Sequence, residues 1–113
     1  MNTAQTSTPP TPDSATLAMM RANASRAAQL MKALGNESRL LILCHLDGKE
    51  LSVSELNRCL DLSQSALSQH LAVLRKDGLV QTRRESQTIY YSLHGDTAKR
   101  IIGTLHEMFC PEM

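Results

Sequence analysis

Aromatic residues are few: two tyrosines, one phenylalanine and no tryptophan among 113 residues. That excludes a single-strand nucleic-acid binder built on stacking platforms, which needs several exposed rings. Charge of one sign is missing too. The formal net charge is +1, so any affinity for nucleic acid must come from where charges are placed. No apolar run approaches the roughly 18–20 residues that span a bilayer, and no charged-then-apolar signal peptide opens the chain. A cytoplasmic protein without membrane segments is therefore expected. Cysteine is scarce and odd in number, three residues, which argues against a secreted disulfide framework. A thiol redox enzyme is disfavoured because there is no Cys-x-x-Cys pair, so no enzymatic activity and no cofactor are expected. What is present is ordinary: 42% hydrophobic and 20% charged residues, the balance of one folded domain of this length.

Residues 1–13 hold three of the four prolines, several threonines and no periodicity, and read as a disordered leader. The domain is then 14–113. A first helix is expected from Asp13 or Ser14 to about Leu34, with Leu17, Met20, Ala24, Ala27, Ala28, Met31 and Leu34 at helical spacing. Gly35-Asn36 stop it, and Asn36 caps a second helix from Glu37 to about Leu46. Its run Leu40-Leu41-Ile42-Leu43-Cys44 is apolar nearly all round, which predicts burial. Ser52 with Glu55 three residues on is a capping-box pattern opening a third helix. Ser63 opens a fourth, with Leu67, Leu71 and Leu74 on one face and Asp77-Gly78 at its end. Leu79–Arg84 and Gln87–Leu93 flank Glu85-Ser86 as a β-hairpin, and a last helix runs from Thr97 to about Phe109. The expected fold is mainly α with a small β-hairpin, in the order α-α-α-α-β-β-α.

Two short helices joined by a tight turn and followed by a hairpin describe a winged helix-turn-helix, whose second helix enters the DNA major groove. At about 100° per residue, Gln64, Ser65, Ser68, Gln69, Ala72, Arg75 and Lys76 share one face of the fourth helix, away from the leucines. Glutamine can pair bidentately with adenine, serine can bond base or phosphate, and small side chains allow close approach. Arg83 and Arg84 near the hairpin tip suit phosphate or minor-groove contact. An isolated glutamine and serine face is more often a solvated helix surface. The turn, the leucine register and the basic hairpin together favour DNA.

The stretch Glu50–Leu93, ELSVSELNRCLDLSQSALSQHLAVLRKDGLVQTRRESQTIYYSL, resembles the ArsR/SmtB family of bacterial winged-helix repressors, and Met31–Leu43 upstream extends the likeness. The resemblance implies a homodimer joined by its first and last helices. Such a dimer reads a palindromic operator with half-sites about 34 Å apart. Arsenic and cadmium sensors of this family carry Cys-x-Cys where this chain has Ser52 and Ser54, and hydroxyls are poor ligands for soft metals. The last-helix pattern of the zinc and nickel sensors is incomplete here, with Ala98 in place of a histidine and Glu107 out of register. No metal site is therefore expected. The cysteines left, Cys44 in LLILCHL and Cys110 in MFCP, look like the BigR/SqrR/HlyU subgroup, sensors of persulfides and oxidants. By that resemblance Cys44 and Cys110 form a thiol switch, bridged by a disulfide or polysulfide that lowers DNA affinity.

Taken singly, these residues have plainer readings. Cys44 alone would be core packing, since free cysteine is among the most buried residue types. Cys110 alone would be a residue near a frayed helix end before Pro111. His45 and His106 would favour thiolate formation if they point inward. Cys59, between Leu56 and Leu60, reads as packing, as do His70, Tyr90 and Tyr91. His106 and Cys110, at i and i+4, are the pair a metal-responsive alternative would use. A third alternative is a regulator that displaces a DNA-bound silencer and senses nothing.

Overall fold

The computed structural model describes residues 13–110. The leader expected at residues 1–13 lies outside them, except Asp13, which belongs to the fold as a cap. The first four helices each begin on a side chain that accepts a backbone N–H otherwise left without a partner. Asp13 accepts from Thr16 (2.7 Å) at the start of α1, Ser14–Leu34. Asn36 accepts from Arg39 (3.0 Å) to open α2, Glu37–Leu46. Ser52 accepts from Glu55 (3.2 Å) while Glu55 Oε1 accepts from the Ser52 N–H (2.9 Å), the complete capping box of α3, Val53–Cys59. Ser63 accepts from Ala66 (3.1 Å) at α4, Gln64–Lys76. The last helix, α5, is Thr97–Phe109 and has no side-chain cap.

The core is one cluster. Ile42, Leu43 and Leu46 of α2, Leu56 and Leu60 around α3, Leu67, Leu71 and Leu74 of α4, Leu79 and Val80 entering the hairpin, and Ala98 and Ile102 of α5 are all buried. From α1 only Ala33 and Leu34 join them. The heptad-like leucines of α4 thus face inward as their spacing predicts, and the polar face is left outside.

The sheet has three strands where a hairpin alone was expected. β1 (Leu51–Ser52), β2 (Val80–Glu85) and β3 (Thr88–Leu93) pair antiparallel in the order β1-β3-β2. β1 is two residues long and exists only through its partners, Leu51 opposite Tyr91 and Ser52 opposite Tyr90. Ser52 is both strand and helix cap, so the wing is fastened to the start of α3. The loop of the hairpin is Ser86-Gln87, one residue later than Glu85-Ser86. Val80 opposite Leu93, both turned to the core, sets this register, and Ser86 takes the positive φ of 57° that the tight turn requires.

Two expectations of burial fail. In α2 the apolar run is not enclosed all round: Leu41 and Cys44, three positions apart, share a stripe left exposed while Ile42, Leu43 and Leu46 are buried. Cys59, expected to pack, is exposed at the last position of α3.

Candidate nucleic-acid interface and cysteine pair

Every member of the polar face of α4 is solvent-exposed: Gln64, Ser65, Ser68, Gln69, Ala72, Arg75 and Lys76. Leu67, Leu71 and Leu74 hold the opposite face at 0–1% exposure, so the polar side chains project from a fixed backbone. Leu60 is buried and Leu62 packs on the same core, which pins the turn between α3 and α4. Gln64 to Gln69 occupy the first turns of α4. Arg75 and Lys76 lie at its far end, roughly 16–18 Å along the axis from Gln64 and about 9–10 Å from Gln69, where their charge also offsets the C-terminal end of the helix dipole.

The two wing arginines differ. Arg83 is engaged: its Nε and Nη2 donate to the Glu50 carboxylate at 2.8–3.2 Å, and its guanidinium lies 4.9 Å from the centre of the Tyr90 ring. The hydrogen bonds with Glu50 push the Arg83 guanidinium up, and those same bonds hold the Glu50 carboxyl below the usual carboxylate range. Arg84, opposite Ile89, makes no ion pair among the described residues and faces solvent. Arg83 was expected, like Arg84, to suit phosphate or minor-groove contact; its pairing was not legible because Glu50 is 33 residues distant and comes alongside only through β1. A further exposed cation, Arg58 on α3, shares a shallow depression with Ser54, Asn57 and Gln64. Its place on the first helix of the pair, which crosses the DNA backbone, is the signal that could have singled it out.

Cys44 on α2 is exposed and Cys110 is the half-buried C-cap of α5, its N–H donating to His106 O (2.7 Å). α2 and α5 pack together. The Cys44 thiol is pushed up from its ordinary value, first by partial desolvation, then by the negative charges of Asp47 and Cys110. His45 and His106, expected to favour thiolate formation if they point inward, are not among the groups that shift it. Alkylation of Cys44 by iodoacetamide should accordingly be slower at pH 7.5 than that of a free peptide thiol and should climb on going to pH 9.5. Peptide-resolved labelling rates check this, and a rate equal to that of the free thiol at pH 7.5 would contradict it.

Ser52, where metal-sensing relatives of the resembled family place a thiolate, is buried and spends its hydroxyl on the α3 cap. Among the described residues no group of three or more His, Cys, Asp or Glu side chains could hold a metal ion. No helix among them is long and apolar enough to cross a membrane.

A helix pair joined by a pinned turn, followed by a sheet-anchored wing and presenting short polar side chains outward, defines a winged helix-turn-helix DNA-binding protein. The profile of the "Bacterial regulatory protein, arsR family" matches residues 36–82. The chain is 55% identical over 91 residues to the transcriptional activator HlyU of Vibrio cholerae, covering 80% of this chain and 84% of that one. The structure of reduced HlyU from the same organism superposes with a TM-score of 0.77 at 54% identity, covering 81% and 97%. The biofilm growth-associated repressor of Agrobacterium fabrum is 45% identical over 94 residues, covering 83% and 80%. A solution structure of the homodimeric winged helix-turn-helix DNA-binding domain of a Mycobacterium bovis protein gives a TM-score of 0.72 at 29% identity, covering 79% and 82%. The chain belongs to the arsR family: it is a transcriptional regulator with a DNA-binding domain, and not an enzyme.

Proposed function

We propose that the protein is a homodimeric, DNA-binding transcriptional repressor whose affinity for a palindromic operator falls when Cys44 and Cys110 are bridged. What supports the sensing half is the placement of Cys44 on α2 and of Cys110 at the end of α5, two helices that pack together. Similarity to the Vibrio cholerae and Agrobacterium fabrum regulators supports the DNA-binding half. One is named an activator and the other a repressor, so the same DNA contact can serve either sign, including displacement of a bound silencer.

Gln64, Ser65, Ser68 and Gln69 read base edges, Arg84 and Arg58 meet phosphate, and Arg75 and Lys76 add charge at the far end of α4. Arg83 serves mainly to brace the wing against Glu50. Gln69→Ala should weaken operator binding by about 1–3 kcal/mol and relax sequence preference, whereas Arg84→Ala should weaken binding to all duplexes alike. Titrations against specific and random duplexes separate the two. Equal losses on both for Gln69→Ala would remove it from the base-reading set.

The dimer is supported by the M. bovis homodimer and by apolar residues left uncovered on α1 and α5. The bridging chemistry balances without a metal or cofactor. A protein thiolate attacks the outer sulfur of glutathione persulfide, glutathione leaves as thiolate, and a protein persulfide forms. The second cysteine then attacks the inner sulfur and expels hydrosulfide, so two thiols are oxidised to a disulfide and one sulfane sulfur is reduced to sulfide. If both cysteines carry persulfides, the same displacement leaves a trisulfide.

Peptide mass spectrometry after peroxide, diamide or glutathione persulfide tests the proposal. A Cys44–Cys110 peptide that retains extra sulfur only after persulfide treatment marks a reactive-sulfur sensor, and a plain disulfide with every oxidant marks a general redox sensor. No linkage under any treatment removes the thiol switch, leaving metal sensing through His106 and Cys110 as the alternative.

A further inference from the structure

Arg39 joins three helices. Its Nε donates to Ala33 O (2.6 Å) and its Nη2 to Lys32 O (3.1 Å), two carbonyls at the end of α1 that lack partners within the helix. Its Nη1 lies 3.4 Å from Nδ1 of His70, on α4. A guanidinium can only donate, so in this contact Nδ1 is the accepting atom. His70 lies between Gln69 and Leu71, half-buried, on the side of α4 turned away from solvent. Nearby, Gln29 Nε2 of α1 donates to Oδ1 of Asp77, the C-cap of α4 (3.2 Å). Among the described residues these are the two side-chain hydrogen bonds that connect α4 and its cap with α1 and α2.

Leucine packing holds α4 on the core but is non-directional; a charged hydrogen bond at one azimuth fixes how the helix is turned. We infer that Arg39 and His70 form a positioning strut. It sets the orientation of the recognition helix relative to α1, and hence the spacing at which two copies meet the DNA grooves. This inference rests on the dimeric DNA-binding reading above. Neither residue needs to touch DNA.

The test uses a duplex selected by the full-length wild-type protein from a random library, together with versions carrying one base pair more or fewer between half-sites. His70→Leu removes the acceptor. His70→Asn keeps one, since its Oδ1 occupies the branch position of Nδ1. His70→Leu and Arg39→Gln should each bind the selected duplex about tenfold more weakly and lose much of the wild-type discrimination against altered spacing. His70→Asn should stay within about twofold of wild type, and the double variant should be no worse than Arg39→Gln alone. Thermal melts identify any loss that is merely unfolding; His70→Leu, an apolar replacement on a half-buried face, keeps the test open if Arg39→Gln does not fold. Full discrimination by His70→Leu, equal losses for His70→Leu and His70→Asn, or additive losses in the double variant would overturn the strut. If the wild type selects no duplex, or sediments as a monomer, the dimeric DNA-binding reading fails and the strut with it.

Discussion

Replacing Leu17 and Met20 together by glutamate should leave the protein monomeric and lower its affinity for a two-half-site duplex by about 10²–10⁴-fold, the range that linking two binding modules contributes. At about 100° per residue, Leu17, Met20, Ala24, Ala28 and Met31 form one stripe on α1. It is turned by about a third of a revolution from Leu30, Ala33 and Leu34, the positions that meet this chain's own core. All five are exposed, Met31 at 69%. None of the described residues covers the stripe. A helix of 21 residues with two buried positions does not hold itself against water, because most helical stability in proteins comes from packing an apolar face. Alanines at its middle allow a second helix to approach closely, and Met108 and Phe109 at the end of α5, the latter 73% exposed, supply more uncovered apolar surface. Two buried glutamates facing one another would carry an uncompensated charge. Sedimentation velocity reads the assembly state, and binding to full and half operators reads the consequence. Half-site affinity should be nearly unchanged in the monomer, since the core, α4 and the wing are untouched. If the double variant remains a dimer, the interface lies elsewhere, and α5 becomes the surface to mutate.

The helices and their starts were legible because each depends on residues within one turn of itself. Asp13, Asn36, Ser52 and Ser63 are short polar acceptors followed by donors three residues on, and the structure uses all four as caps. The polar face of α4 was legible for the same reason, as the remainder left by its leucines. What escaped depends on distant partners. β1 is two residues whose strand character comes from Tyr90 and Tyr91, about forty positions away. The hairpin loop moved by one residue because Val80 and Leu93 had to face the core together. Arg83 was claimed by Glu50 across the sheet. The exposure of Leu41 and Cys44 follows from how far α2 is covered by its neighbours, which no periodicity within α2 can report. Cys59 sits where α3 ends, so its apolar neighbours in sequence are not its neighbours in space. The α1 series is the converse case: Leu34, read with the others, turns into the core, while Leu17, Met20, Ala24, Ala28 and Met31 stay exposed and no described residue covers them.

Cys44→Ser and Cys110→Ser should each abolish the response to oxidant and persulfide while leaving reduced-state DNA binding within about twofold of wild type. In the wild type, treatment should lower operator affinity by about 5–150-fold, the usual span of coupling between two sites in one protein. The effect can be no larger than the difference in DNA affinity between bridged and unbridged forms. It must travel from α5 and α2, where the cysteines sit, to α4, which packs on α2. Cys110 is the half-buried C-cap of α5, its backbone N–H engaged with His106 O. Cys44 is fixed on a core helix and its thiol is held up, so at neutral pH it is poorly suited to be the first attacking thiolate. The order that follows is activation at Cys110 and displacement by Cys44. Cys44→Ser should therefore trap a persulfide or sulfenic acid on Cys110, whereas Cys110→Ser should leave Cys44 largely unmodified at pH 7. Fluorescence anisotropy before and after oxidant, and again after dithiothreitol, gives the affinity change, and mass spectrometry of the two single variants gives the order. Cys59→Ser is the control: exposed but unpaired, Cys59 can be modified without changing DNA affinity. If Cys44→Ser still loses operator binding on oxidation, reversibly and to the wild-type extent, the bridge is not the switch.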